Sequence, residues 1–353
     1  MRKESGEFLE KLLSTPSPSG FEAEAQRLFL DYVGSYADET TSDVHGNAAA
    51  VLNPSGKPRV MLAGHIDQIG LIVKYITEDG FIYFDQIGGL DPMLLPAQRV
   101  LIHAEKGPVL GVVGRKPIHL LEGDERKSVP KMKDQWIDIG ARKKKEAERM
   151  VAIGDPVTFD VPVKHMPNSR MISAGFDDKA GVYVIAEAAR LLSRKKIKAA
   201  VHAVATVQEE VGIRGAKTSA FGIDAQVGIA VDVTFAGDSP DTDKKQVGDI
   251  RLGKGPVVGR GANFNPVLYR RVLTAARKHK IPYQISAEGN PPGTDAYVMQ
   301  VNRAGMATAL ISVPNRYMHS PCELVHVDDL ENISKLIAHT CASIDDSTDF
   351  IPS

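Results

Sequence analysis

The feature that most constrains the fold is an alternation of strand-length apolar runs with amphipathic helical segments in the second half of the chain. Strands are predicted over residues 199–207, 227–231, 282–286 and 306–313, and helices over 180–192, 266–280 and 328–344. Apolar strands separated by helices favour a mostly parallel sheet that is covered by helices on both faces. We therefore predict an α/β fold.

The first half of the chain contributes to the same sheet and is then interrupted. A helix is predicted over about 21–33, and a buried strand over 59–63 runs into Gly64-His65-Ile66-Asp67. From 70 to 163 the runs become short, alternating or β-branched, with Gly, Pro and Asp-Gly turns between them and one short helix near 143–150. We predict a catalytic α/β domain of residues 1–69 and 164–353, interrupted by an inserted β-rich domain of residues 70–163.

Length and composition limit the classes of protein. A chain of 353 residues exceeds what one core usually supports. The formal net charge of −1 gives no electrostatic reason to expect nucleic acid or a membrane surface as a partner. The two cysteines, Cys322 and Cys341, are too few for a disulfide framework, and no apolar run has the length of a signal peptide or membrane span. We expect a cytoplasmic protein.

Residues of metal-binding type follow the predicted strands. Two histidines and two acidic residues come after four of these strands, and another aspartate comes just before the helix at 180–192. They are His65, Asp177, Glu210, Asp232 and His319. Because ligands of open α/β sheets bind outside the carboxyl ends of the strands, we expect these side chains to meet in one crevice.

Each residue alone has an ordinary structural explanation. A single histidine at a strand end is usually a structural polar residue, a Glu-Glu pair is usually solvated surface, and an Asp-Asp pair is usually a turn or a helix cap. The case for a site depends on all of them converging on one edge of one sheet.

The composition of this set predicts two ions. Imidazole and carboxylate ligands without thiolate suit zinc, cobalt or manganese, and one ion rarely needs five protein ligands. We predict His65 and Asp232 on one ion, Glu210 and His319 on the other, and Asp177 shared between them. Such a pair of ions can activate a water molecule and polarise a carbonyl oxygen.

Two further residues are assigned to catalysis. Consecutive side chains near a strand end diverge, so Glu209 is not expected to bind the same ion as Glu210. We assign Glu209 as the general base that takes a proton from water and passes it to the leaving amine. Asp67 is predicted to accept the second N–H of the His65 imidazole and so fix its tautomer.

Motifs around these residues resemble those of the M42 family of metallo-aminopeptidases, the glutamyl aminopeptidase and TET aminopeptidase group. The resemblance extends over close to the whole chain. The motifs that carry it are Ala63-Gly64-His65-Ile66-Asp67-Gln68-Ile69-Gly70, Phe176-Asp177-Asp178-Lys179, Gln208-Glu209-Glu210-Val211-Gly212, Val231-Asp232-Val233-Thr234, Gly293-Thr294-Asp295-Ala296 and Arg316-Tyr317-Met318-His319-Ser320-Pro321. Ile137-Asp138-Ile139-Gly140-Ala141 and Gly154-Asp155 are similar to the inserted domain of that family.

The resemblance implies a zinc-peptidase-like fold with the same five metal ligands and Glu209 as the base. It also implies a cis peptide between Asp177 and Asp178, an inserted domain that mediates dimerisation, and dimers that assemble into tetrahedral dodecamers. The activity it implies is removal of the N-terminal residue of short peptides, with a hydroxide that bridges two Zn²⁺ or Co²⁺ ions attacking the scissile carbonyl.

The chain departs from the family pattern at two positions beside these motifs. Gln68 stands where the family usually has glutamate, and Lys179 where it usually has arginine. Neither is a metal ligand in the family, so we expect catalysis to survive.

Three rival functions stay open at this point. A two-metal deacylase or carboxypeptidase would use the same ligands on a related amide. A glycosidase such as an endoglucanase needs two carboxylates and usually no metal. A non-catalytic assembly or binding protein would have no need of a base at Glu209. The preferred N-terminal residue and the native metal are not predicted; loops near 234–261 and 287–294 are expected to form the pocket.

Overall fold

A computed structural model describes residues 1–352, apart from the side chains of Asp124 and Glu125. Its strands, in chain order, are β1 (Glu39–Ser42), β2 (Ala48–Leu52), β3 (Arg59–His65), β4 (Gly70–Ile76), β5 (Ile82–Ile87), β6 (Arg99–Ala104), β7 (Gly107–Arg115), β8 (Gln135–Asp138), β9 (Pro156–Phe159), β10 (Lys164–Met166), β11 (Arg170–Ser173), β12 (Ala200–Thr206), β13 (Val227–Phe235), β14 (Val257–Gly261), β15 (Gln284–Glu288), β16 (Ala307–Asn315) and β17 (Glu323–His326). Its α-helices are α1 (Lys3–Ser14), α2 (Ala23–Val33), α3 (Lys144–Ala147), α4 (Phe176–Leu192), α5 (Arg214–Ile223), α6 (Lys244–Val247), α7 (Pro266–Lys278), α8 (Asp295–Gln300) and α9 (Val327–Cys341).

The main sheet has the strand order β1-β2-β12-β3-β13-β16-β14-β15. Its four central strands, β12, β3, β13 and β16, run parallel, whereas antiparallel pairings attach β1, β2 and β14 at the two sides. The carboxyl ends of the central strands therefore lie along one edge. This arrangement confirms the predicted α/β fold class.

Helices cover both faces of this sheet because its strands are apolar on both sides. In β3, Val60 and Leu62 join the core under α1, α2, α4, α7 and α9, whereas Met61 and Ala63 join a second core under α5 and α8. Successive side chains of a strand point to opposite faces, which produces this division. Within residues 1–352 no helix has both the length and the apolar content needed to cross a membrane.

In the sequence, the segment between β3 and the later strands of the main sheet forms a separate closed barrel. Its strands follow the order β4-β5-β8-β7-β6-β9, and its own core includes Leu71, Ile82, Val100 and Ile137. The short strands predicted for this region are confirmed, although β8 was not predicted. The domain boundaries at 69/70 and 163/164 stay a prediction.

Candidate metal centre

The predicted ligands meet at the carboxyl edge of the main sheet, with Asp177 between two histidines. His65 is the last residue of β3 and is 2% exposed. Asp177 lies in the first turn of α4, and its peptide bond to Asp178 is cis, as the resemblance implies. Oδ1 of Asp177 is 3.1 Å from Nε2 of His65, and Oδ2 is 3.4 Å from Nε2 of His319. One carboxylate therefore faces two imidazoles through two different oxygens.

The other two predicted ligands lie on either side of this carboxylate. Oδ1 of Asp232 is 3.9 Å from Nε2 of His65, and Oε2 of Glu210 is 3.7 Å from Nε2 of His319. Asp232 therefore lies beside His65, and Glu210 beside His319. Candidate ligand atoms of His65, Asp177 and Glu210 lie within 4.8 Å of one another.

A second group with the same spacing contains a residue that was not predicted. It consists of His65, Asp178 and Asp232, whose candidate ligand atoms also lie within 4.8 Å of one another. Asp178 is fully buried, and its carboxylate accepts the backbone N–H of His65 at 3.2 Å and of Gly181 at 2.9 Å. These bonds connect the start of α4 to the end of β3. An Asp-Asp pair in the sequence does not show which carboxylate faces the site.

Asp232 differs from the prediction that each of these ligands follows a strand, and His319 has an unusual local backbone. Asp232 lies within β13, which continues to Phe235. Because successive side chains of a strand point to opposite faces, Asp232 points away from the core that contains its neighbours Val231 and Val233. His319 lies on the loop after β16, with a positive φ of 57° and a side chain that is 45% exposed. It is the most exposed of the five predicted ligands.

Asp67 contacts Nδ1 of His65 mainly through its backbone and makes further contacts that were not predicted. Nδ1 of His65 lies 3.0 Å from the main-chain oxygen of Asp67 and 3.5 Å from its Oδ1, so the closer acceptor is the carbonyl. The Asp67 carboxylate also accepts the backbone N–H groups of Glu209 and Glu210, at 3.0 and 3.1 Å, and the hydroxyl of Ser19 at 2.7 Å. Its carboxylate thus fixes the turn that carries the two glutamates.

The site carries an excess of buried negative charge. Burial, together with Asp295 and Glu210, raises the pKa of Glu209 to about 8. Burial and Asp177 raise the pKa of Glu210 well above its usual range, and the same two causes act on Asp232. A buried carboxylate surrounded by like charges favours its protonated form unless a cation compensates it.

The residues present fit divalent cations. Oε1 of Glu210 is buried and has no hydrogen-bond partner within the described part of the chain. Leaving a buried acceptor unpaired costs about 1–3 kcal/mol, which a bound cation would offset. The imidazole and carboxylate donors, with no thiolate among them, suit zinc or cobalt.

Glu323 and Asn315 support the site and were not predicted. Oε2 of Glu323 accepts the backbone N–H of Asp177 at 2.9 Å, and Nδ2 of Asn315 donates to the other oxygen at 3.3 Å. Burial and Asp177 raise the pKa of Glu323 to about 8. Only the proximity of Glu323 to His319 in the sequence could have indicated it.

The two departures from the family pattern contact each other. The buried Lys179 ammonium donates to Oε1 of Gln68 and, at 2.6 Å, to the main-chain oxygen of Thr15. Burial lowers the pKa of Lys179 to about 7. The lysine thus faces the neutral amide of Gln68, and the two residues that depart from the family pattern are hydrogen-bonded to each other beside the site.

The raised carboxylate pKa values predict how the metal-free protein responds to pH. Glu209 has an ordinary pKa of 4.5 and a folded-state pKa of about 8, so between these values the folded chain binds a proton that the unfolded chain has lost. The free energy of unfolding therefore falls as pH rises through this window. We expect the Tm of metal-free protein to be lower at pH 8 than at pH 6, and Zn²⁺ to remove the difference. A Glu209→Gln variant should show a smaller decrease, and a metal-free Tm that rises from pH 6 to pH 8 would contradict this interpretation.

The chain is similar to known aminopeptidases in both sequence and structure. Residues 46–336 match the sequence profile of the M42 glutamyl aminopeptidase family. A lysyl aminopeptidase of Pyrococcus furiosus is 41% identical over 333 residues, 94% of each chain. The crystal structure of a TET aminopeptidase from the archaeon Thaumarchaeota archaeon SCGC AB-539-E09 superposes with a TM-score of 0.93, at 35% identity over 97% of each chain. A Pyrococcus horikoshii TET1 peptidase, described as able to assemble into a tetrahedron or a large octahedral shell, has a TM-score of 0.85 at 35% identity over 96% of this chain and 100% of that one.

Proposed function

This chain belongs to the M42 glutamyl aminopeptidase family and is an aminopeptidase, and from that premise we propose that it removes the N-terminal residue of short peptides at a site for two divalent ions. The observation that carries the proposal is the position of Asp177, whose two oxygens face His65 and His319 separately. A carboxylate in this position suits a ligand shared between two ions.

We assign the five residues to two positions. His65 and Asp232 would hold one ion, Glu210 and His319 the other, and Asp177 both. Zn²⁺ or Co²⁺ would supply Lewis acidity there, polarising a peptide carbonyl and lowering the pKa of water.

Glu209 is the general base of the proposed reaction. Its carboxylate is buried next to the ligands, with Oε2 at 3.8 Å from Nε2 of His65. Because Glu209 is assigned to neither ion, its carboxylate is left to take a proton from water and return it to the leaving amine. Asp67, through its bonds to the backbone of Glu209 and Glu210, positions this base relative to the ligands.

Activity assays test this function against its rivals. We expect hydrolysis of aminoacyl-anilides with a free amine and none of their N-acetylated counterparts, because an aminopeptidase requires the free N-terminus. A deacylase would prefer the acylated amino acids, and a carboxypeptidase would cleave peptides blocked at the N-terminus. Chelation should abolish the activity and Zn²⁺ or Co²⁺ should restore it, whereas an endoglucanase would retain activity on a glucan in chelator.

The relatives suggest which finer properties to test first. The lysyl aminopeptidase makes lysyl-anilide the first substrate to assay, beside glutamyl, leucyl and glycyl substrates. The TET1 peptidase is described as assembling into a tetrahedron or a large octahedral shell, and a related TET1 structure as a dodecamer. We propose that this chain forms dimers through the barrel, and that these dimers assemble into a tetrahedral dodecamer. We propose a cytoplasmic location. Light scattering of purified protein would test the dodecamer, and a particle no larger than a dimer would exclude it.

A further inference from the structure

The turn Gly88-Gly89 connects the barrel to the metal centre. It follows the barrel strand β5 and reaches the two ligands assigned to one ion. A Cβ atom built on Gly88 would lie 3.1 Å from Oε2 of Glu210, and one built on Gly89 would lie 3.0 Å from Nδ1 of His319. Separations this short mean that the glycine backbone occupies the space directly beside both side chains.

His319 depends on such packing more than the other ligands. Its ring is 45% exposed, and both of its contacts to carboxylates, those of Asp177 and Glu210, are made through Nε2. The neighbouring edge of the ring, Nδ1 and Cε1, faces Gly89. A ligand on an exposed loop needs a neighbour that limits rotation of the ring, because outer-shell contacts orient first-shell ligands.

We propose that Gly89, supplied by the inserted barrel, is a positioning residue that sets the affinity of the ion held by His319 and Glu210. The inference rests on the proposed two-ion site. It assigns the barrel a part in the active site that is separate from any role in dimerisation. Gly88 has a positive φ of 74°, so a substitution there would strain the backbone, whereas Gly89 has no such restriction and gives the cleaner test.

Zinc titration of the metal-free protein by calorimetry tests this role. In Gly89→Ala we expect one equivalent to bind as in the wild type and the second to bind about 10–100-fold more weakly, because the added methyl group displaces the His319 ring. Gly222→Ala is the matched control, since a Cβ there meets nothing within 4 Å, and it should bind both equivalents normally. A Gly89→Ala protein that binds two equivalents with wild-type affinity would overturn the inference about Gly89 and leave the proposed two-ion site intact. A wild-type chain that binds fewer than two would overturn the proposed site as well.

A second variant keeps the test valid if Gly89→Ala unfolds. The two atoms that its Cβ would meet within 4 Å in the described structure, apart from its chain neighbours, both belong to His319. The double variant Gly89→Ala/His319→Ala should therefore have the same Tm and zinc affinity as His319→Ala. A double variant less stable than His319→Ala would show that Gly89 acts through another contact, and the inference would be wrong.

Discussion

Replacing Glu209 with glutamine is expected to lower kcat for an aminoacyl-anilide by about 10²–10⁴, with the metal content of the protein unchanged. The substitution keeps the size of the side chain and removes its ability to take a proton. Glu209 is assigned no ion in the proposed site, so its loss should affect the reaction and not metal binding. Steady-state kinetics and elemental analysis of the same preparation measure both.

Two matched variants distinguish a base from a nearby charge. Glu210→Gln should lose metal as well as activity, because Glu210 is assigned as a ligand. Glu39→Gln, on the exposed edge strand β1, should alter neither. If Glu209→Gln retained wild-type kcat, or lost activity only in proportion to lost metal, Glu209 would not be the base.

Replacing Asp177 with asparagine is expected to remove bound metal as well as activity. Asp177 is the carboxylate that faces both histidines, so its loss weakens both ion positions together. We expect bound metal to fall from two equivalents to fewer than one after dialysis, and kcat/KM to fall by more than about 10³, which corresponds to roughly 4 kcal/mol of lost transition-state stabilisation. Elemental analysis and anilide kinetics are the measurements.

Asp31→Asn is the control for this substitution, since Asp31 is exposed on α2. It should keep both equivalents and full activity. An Asp177→Asn protein that retained two tightly bound ions would show that the bridge between them is made by another residue, such as Asp178, which lies with His65 and Asp232.

The central strands of the fold could be predicted because their apolar runs are long and have polar, Gly or Pro residues at both ends. Strands β3, β12 and β16 are buried on both faces, so each appears in the sequence as a continuous apolar segment. Helices α5 and α8 were not predicted, because they are short and bury mainly small residues such as Ala216 and Ala296. Strand β13 was predicted to end at residue 231 but continues past Asp232. The prediction stopped too early because, in a sequence alone, a polar residue after an apolar run looks like the end of a strand.

Four of the five candidate ligands could be proposed from one rule about the carboxyl ends of parallel strands, and Asp177 from its position before a helix at the same edge. The residues that orient them follow no such rule. Glu323 reaches Asp177 from 146 positions away, and the carboxylate of Asp67 bonds to Glu209 from 142 positions away. Contacts of this kind depend on tertiary packing, and neither spacing nor residue type in a single sequence indicates them.

Anomalous diffraction from crystals of the zinc-loaded protein tests the central claim most directly. We predict two zinc peaks about 3.5–4 Å apart, with the Asp177 carboxylate between them, His65 and Asp232 at one peak, and Glu210 and His319 at the other. A single peak, or two peaks away from these five side chains, would contradict the two-ion site on which the proposed mechanism depends.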